Sequence, residues 1–212
     1  MAPRTTRATA WGRAGIRPAE IDSIVVSHLH GDHFAGLPFL LLEGIYGEAR
    51  QRPLRIAGPP GIGERVRTLF RAMYGNTADD PLPYALDFVE LHPGQSRRLG
   101  SLVIDPFLVP HMEREISLGL RLELEGRRIL YSGDTGWTED LVKHSMGTDL
   151  FICECYFFET QSPSHLDYAR LSDCRHRFGT KRLILTHLGR EVLERLDELE
   201  IEPARDGMVV AL

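Results

Sequence analysis

The segment His28-Leu29-His30-Gly31-Asp32-His33 places four groups able to bind a divalent metal within six residues. It follows directly on Ile21-Asp22-Ser23-Ile24-Val25-Val26-Ser27, a β-branched and largely apolar run. Such a run, bounded by turn signals, predicts a buried strand. Side chains in the loop that leaves a buried strand are free to converge. On extended backbone His28 and His30 point the same way. Gly31 can adopt the backbone angles of a tight turn and swing Asp32 and His33 toward the same centre. Mixed imidazole and carboxylate donors suit Zn²⁺ or Mn²⁺ better than metals that seek thiolate. The competing reading, a histidine-rich surface loop, fits poorly because the segment follows an apolar run and not a polar one.

Three further candidate ligands also lie just past strand candidates. His111 follows Phe107-Leu108-Val109-Pro110, Asp134 follows Ile129-Leu130-Tyr131-Ser132-Gly133, and His187 follows Leu183-Ile184-Leu185-Thr186. A single histidine beside a strand is more often structural. Ligands at the same edge of several strands can meet at one point, which gives the three collective weight.

The chain around these residues alternates strands and helices. Helices are expected at Thr5 to Ala14, Phe34 to Tyr46, Ile62 to Met73, Glu139 to His144, Leu166 to Phe178 and Glu191 to Leu199. Strands are expected at Leu54–Gly58, Leu86–Leu91, Leu102–Phe107, Ser117–Leu124, Arg127–Tyr131, Leu150–Cys155, Arg182–Thr186 and Gly207–Leu212, with loops at 75–83 and 156–164. Strands mixed with helices, and a block of consecutive strands mid-chain, predict an α/β protein of two sheets with helices outside. At 212 residues and 42% hydrophobic content, one domain with a sizeable core is expected.

A net charge of −5 disfavours a protein that grips a long nucleic acid. Three cysteines cannot build a disulfide framework, and no apolar run is long enough to span a bilayer, so a reducing cytoplasm is the expected compartment. The first 18 residues hold four Arg and no acid. That composition is shared by organellar transit peptides, but it suits an ordinary amphipathic helix equally well. Cys153 and Cys155 are expected in the core on one strand face. His92, His144 and His176 are expected at the surface.

Taken together, these motifs resemble the metallo-β-lactamase superfamily, whose pattern is His-x-His-x-Asp-His followed by separated His, Asp and His. The resemblance covers nearly the whole chain. Val26-Ser27-His28-Leu29-His30-Gly31-Asp32-His33, Ser132-Gly133-Asp134-Thr135 and Leu185-Thr186-His187 look most like its ribonuclease Z and phosphodiesterase branch. The resemblance implies a four-layer αββα fold over residues 1–212. It also implies two divalent ions, Zn²⁺ first and Mn²⁺ second, with His28, His30 and His111 on one, Asp32, His33 and His187 on the other, and Asp134 bridging. Asp134 stands where many true β-lactamases carry a thiolate, and His30 where oxygen- and nitric-oxide-reducing relatives carry Glu.

A diester's leaving group needs a proton donor, and His165 is the candidate. It aligns with a histidine of the ribonuclease Z branch, although the box His-Ser-Thr reads His165-Leu166-Asp167 here. Glu154 aligns with the glutamate of a His-Glu-Ala-Thr segment and could orient His165; a plain strand-end carboxylate is the equal alternative. Asp32 would serve both as ligand and as the base that positions the attacking water.

Two departures bear on function. His111 and Asp134 are only 23 residues apart, which leaves no room for the arm with which bacterial ribonuclease Z clamps the tRNA elbow. The motif strand begins at Ile21, so the N-terminal edge strands of the superfamily are expected to be missing, exposing apolar sheet surface and favouring a homodimer. The leading reading is a two-metal phosphodiesterase for cyclic nucleotides or nucleic-acid ends. Behind it stand a thioester or lactone hydrolase, a tRNA 3′-processing endoribonuclease, and an inactive truncated paralogue.

Overall fold

The computed structural model describes residues 15–47 and 50–212, which fall into two compact units that divide after Leu91. The expected helix Thr5 to Ala14 lies outside the described residues.

The first unit is built on a three-stranded parallel sheet in the order β1-β2-β3, with β1 Ser23–Val25, β2 Leu54–Gly58 and β3 Leu86–Glu90. Ile24, Ile56 and Phe88 lie in register across it. Helices connect the strands, as parallel pairing requires. After β1 come α1, Gly31–Phe34, and α2, Leu37–Tyr46; after β2 comes α3, Ile62–Tyr74. The expected single helix from Phe34 to Tyr46 is therefore a one-turn helix and a longer one, parted at Ala35 and Gly36. Pro38 sits in the first turn of α2, where its missing N–H costs nothing. Leu54, Ile56, Ile62 and Val66 are fully buried and anchor the core of this unit.

Arg50 is also buried here. Its guanidinium donates to the carbonyls of Pro18, Ala19, Ile21 and Pro53 and lies 5.5 Å from the centre of the Tyr84 ring. It thereby ties the segment that enters β1 to the segment that enters β2. Burial lowers its pKa and raises that of Tyr84 to about 12.

The second unit carries a seven-stranded sheet in the order β10-β9-β8-β7-β6-β5-β4. Its strands are β4 Arg97–Leu99, β5 Leu102–Leu108, β6 Leu118–Leu124, β7 Arg127–Tyr131, β8 Leu150–Glu154, β9 Leu183–Thr186 and β10 Glu202–Pro203. β4 to β7 pair antiparallel, β7 to β10 parallel. Consequently β5, β7, β8 and β9 all run the same way, and their C-terminal ends share one edge. Pro106 is tolerated inside β5 because the pairing with β4 stops at Ile104. Helices α4 Glu139–Ser145, α5 Tyr168–Cys174 and α6 Arg190–Leu193 complete the unit.

Several expectations need correction. Gly207–Leu212 is not a strand: the edge of β9 is taken by Glu202–Pro203, and Val209 is 90% exposed. The expected helix Leu166 to Phe178 starts at Tyr168, because Asp167 caps it by accepting from the Arg170 N–H at 2.8 Å. The expected helix Glu191 to Leu199 is one turn of α-helix and a separate 3₁₀ turn at Leu196–Glu198. His144 is not a plain surface residue; its ring stacks on Phe107 at 4.0 Å, nearly parallel. Cys153 and Cys155 are fully buried, as expected. No helix among the described residues is long and apolar enough to cross a membrane.

Candidate metal centre

In the first unit the ladder between β1 and β2 is extended by the Val26 N–H, which donates to the Ala57 carbonyl at 2.8 Å, before the chain turns away. Leu29 and Phe34 are buried in the core on either side of His30 to His33, so the apolar residues of the segment fix its polar ones. The ring of His28 lies 4.9 Å from that of His30 and 4.0 Å from that of His33. His28 is wholly buried, with Nδ1 3.1 Å from the Ser27 hydroxyl. Asp32 and His33 sit in α1, where Asp32 Oδ2 is 3.3 Å from His33 Nε2. The carboxylate of Asp32 is largely exposed while His33 is mostly covered. The three imidazoles and the carboxylate are thus gathered by local backbone alone.

In the second unit the candidates come from the common edge of the sheet. Asp134 follows β7 through Gly133, whose φ of +61° lets the chain turn off the strand. His111 follows β5, and His187 follows β9 with a φ of +52°, a left-handed conformation that side chains other than glycine adopt at a cost of about 1 kcal/mol or more. His187 Nε2 is 3.3 Å and His111 Nε2 3.9 Å from the same oxygen, Asp134 Oδ2, and the carboxylate is almost completely buried. His111 Nδ1 lies 2.8 Å from the Ser164 carbonyl. A carbonyl only accepts, so Nδ1 carries the proton, and in the neutral ring Nε2 is a lone pair. Two electron-rich atoms then face one another across 3.9 Å in a buried place. That donor set fits a divalent cation, held by a histidine whose other nitrogen is fixed by a backbone carbonyl.

Beside these candidate ligands stands a second group. His111, Asp134 and His165 offer donor atoms all within 4.8 Å of one another, as do Glu154, His165 and His187. Glu154, the last residue of β8, is buried and accepts from the backbone N–H groups of Thr135 and of Leu166, the latter at 3.3 Å. His165 Nδ1 is 3.1 Å from Glu154 Oε1. Burial pushes the Glu154 pKa up, and the hydrogen bonds from His165 and Thr135 pull against it. The Ser132 hydroxyl accepts from the Glu154 N–H at 2.8 Å, which keeps the ends of β7 and β8 aligned.

Some residues that shape this site carry little signal in the sequence. Gly136 has no room for a side chain: a Cβ there would lie 2.0 Å from the Pro163 carbonyl oxygen. Gly189 is equally confined, since its Cβ would lie 2.1 Å from the Tyr156 carbonyl oxygen. Tyr156 packs against both His165 and His187, with ring centres 4.7 and 5.5 Å apart. The only available signals were two glycines in loops and an aromatic pair, Tyr156-Phe157, next to Glu154.

An α/β chain with one parallel and one mixed sheet, and histidines and carboxylates after their strand ends, defines a metallo-β-lactamase fold. Residues 2–188 match the family model of the Beta-lactamase superfamily domain, and the chain belongs to that superfamily. It is 33% identical over 181 residues to an uncharacterized protein of Mycobacterium tuberculosis; the match covers 81% of this chain and 63% of that protein, so the chain spans less than two thirds of its relative's length. A ribonuclease Z of Agathobacter rectalis is 29% identical, with 84% of this chain and 74% of that one covered. Among solved structures, the short form of human tRNase Z superposes with a TM-score of 0.73 at 24% identity, over 95% of this chain and 83% of that one. A diphosphatase of the PhnP family superposes with a TM-score of 0.71 at 19% identity, over 95% and 75%. Both likenesses bear on fold alone.

Proposed function

We propose that this protein is a two-metal phosphodiesterase acting on cyclic nucleotides or nucleic-acid ends. In this reading both units work as one domain. His28, His30, Asp32 and His33 of the first unit, with His111, Asp134 and His187 of the second, hold two divalent ions, Zn²⁺ or Mn²⁺. Bound there, such ions supply an activated water and stabilise charge on the oxygens of a displacement. The order of the ligands along the chain is that of the superfamily, and each half of the set is already gathered within its own unit.

The observation that carries the choice of substrate is the pairing of His165 with buried Glu154 beside Asp134 and His111. An alkoxide leaving a phosphodiester is a poor leaving group and gains from a proton delivered as the bond breaks. Glu154 takes the Nδ1 side of His165 and leaves Nε2, on the far side of the ring, to supply that proton. A thioester, whose thiolate leaves readily without a proton, would make little use of such a donor. Asp32, exposed and beside His33, positions the attacking water. Ribonuclease Z relatives support phosphodiester chemistry in general. The short connection between His111 and Asp134 favours a small or single-ended substrate over a folded tRNA.

The test is hydrolysis of a chromogenic phosphodiester by protein reconstituted with Zn²⁺ or Mn²⁺, with Asp32→Ala as the blank. Metal-dependent turnover lost in the variant is the expected result. Turnover that survives Asp32→Ala would overturn the assignment of that residue. Activity on acyl substrates alone, indifferent to His165→Ala, would replace the phosphodiesterase reading.

A further inference from the structure

Next to the proposed proton donor the second unit presents an aromatic surface that the chemistry above does not use. Tyr156 follows Cys155 off the end of β8 and is 39% exposed, whereas its neighbours Cys155 and Phe158 are buried. Its ring lies 4.7 Å from that of His165 at an angle of 29°, and 5.5 Å from that of His187 at 34°. His165 and His187 are themselves near parallel, at 16°. Three flat rings therefore share roughly one orientation. Phe157 closes one side, meeting Tyr156 edge-on at 4.9 Å.

The backbone beneath the ring is fixed. The Tyr156 and Phe157 N–H groups both donate to the Leu166 carbonyl at 3.1 Å, and the Tyr156 carbonyl abuts Gly189 so closely that no side chain fits there. An exposed aromatic ring on a rigid backbone loses little entropy when a ligand settles on it.

We propose that Tyr156 is the platform on which the substrate's nucleobase stacks, so that this site selects diesters carrying a base. The inference rests on the phosphodiesterase reading. A nucleoside whose ribose oxygen takes its proton from His165 has its base one sugar away, within reach of the ring beside that histidine. Every base has a π-face, so the platform holds purines and pyrimidines alike while giving a simple alkyl diester nothing to bind.

The test compares wild type, Tyr156→Ala and Tyr156→Phe on a nucleoside 3′,5′-cyclic monophosphate and on the corresponding cyclic ribose phosphate without a base. Equilibrium binding of a nucleoside monophosphate is measured on the same three proteins. Tyr156→Ala should lower kcat/KM for the nucleotide about tenfold more than for the base-free diester, any loss common to both reporting the missing packing on His165 and His187, and should weaken nucleotide binding about tenfold. Tyr156→Phe should match wild type, because the ring and not the hydroxyl is used. An equal loss on both diesters, or nucleotide binding unaffected by Tyr156→Ala, would overturn the proposal while leaving the phosphodiesterase reading standing. If wild type hydrolyses neither diester, the cyclic-nucleotide form of that reading fails, and the binding comparison alone decides: weakening in Tyr156→Ala supports the platform, and equal or absent binding overturns it.

Discussion

In the first unit four candidate ligands come from six consecutive residues, and their convergence needs only a turn at Gly31 with Leu29 and Phe34 buried on either side. In the second unit His111, Asp134 and His187 come from the ends of β5, β7 and β9, and their convergence needs a whole sheet in register. The first set survives wherever its local backbone survives. The second set is only as good as the packing beneath the sheet edge, where Glu154, Ser132 and Gly136 lock neighbouring loops together. A contiguous motif therefore specifies what can be bound, and a dispersed one specifies how accurately the reacting groups are held.

Perturbing the dispersed set at its centre should have the largest effect. Asp134→Ala removes the carboxylate that both His111 and His187 face, and should lower turnover by at least about 10³-fold; steady-state kinetics checks this. Gly136→Ala touches no ligand but forces a methyl group against the Pro163 carbonyl, displacing the segment that carries His165. A shift of about 1 Å there, which also moves the Ser164 carbonyl that orients His111, should cost on the order of 10²-fold in kcat. An unchanged kcat would show that the dispersed set tolerates more movement than the comparison allows.

The first unit should respond in stability before chemistry. Arg50→Ala leaves four backbone carbonyls without their donor and should cost about 3 kcal/mol in urea unfolding. The smallest effect concerns His144. Its pKa is lowered, chiefly by burial against Phe107, then by Lys143, with Asp140 raising it and Arg121 and Asp105 acting more weakly in opposite senses. A histidine whose folded pKa lies below its unfolded value stabilises the protein fully above about pH 6.5 and loses that contribution as pH falls toward the folded value. His144→Phe should flatten this part of the pH–stability profile, and a profile of unchanged slope would contradict it.

The same contrast governs what could be read in the sequence. β2 is legible to the residue because it is a short, largely apolar run before a Pro-Pro-Gly turn, and β7 because Ile129-Leu130-Tyr131 leads straight into the Ser132-Gly133 turn. β4, Arg97–Leu99, was not: three residues, two of them charged, form a strand only because β5 offers an edge. Gly207–Leu212 erred in the opposite direction, since an apolar run forms a strand only where a partner edge is open. At the site, the His28 to His33 segment announces itself by composition. His111, Asp134 and His187 are legible as a set because each follows a strand candidate. Tyr156, Gly136 and Gly189 are not legible, because their importance lies in contacts with residues distant in the chain.

On the function proposed above, the contiguous and dispersed sets serve one pair of ions. Elemental analysis of purified chain gives the most direct test, run on wild type, on a His28→Ala/His30→Ala variant and on Asp134→Ala. The account predicts two divalent ions per wild-type chain, with fewer in both variants. A wild-type chain that holds one ion or none after reconstitution, or a variant in either unit that keeps the full wild-type content, would contradict it.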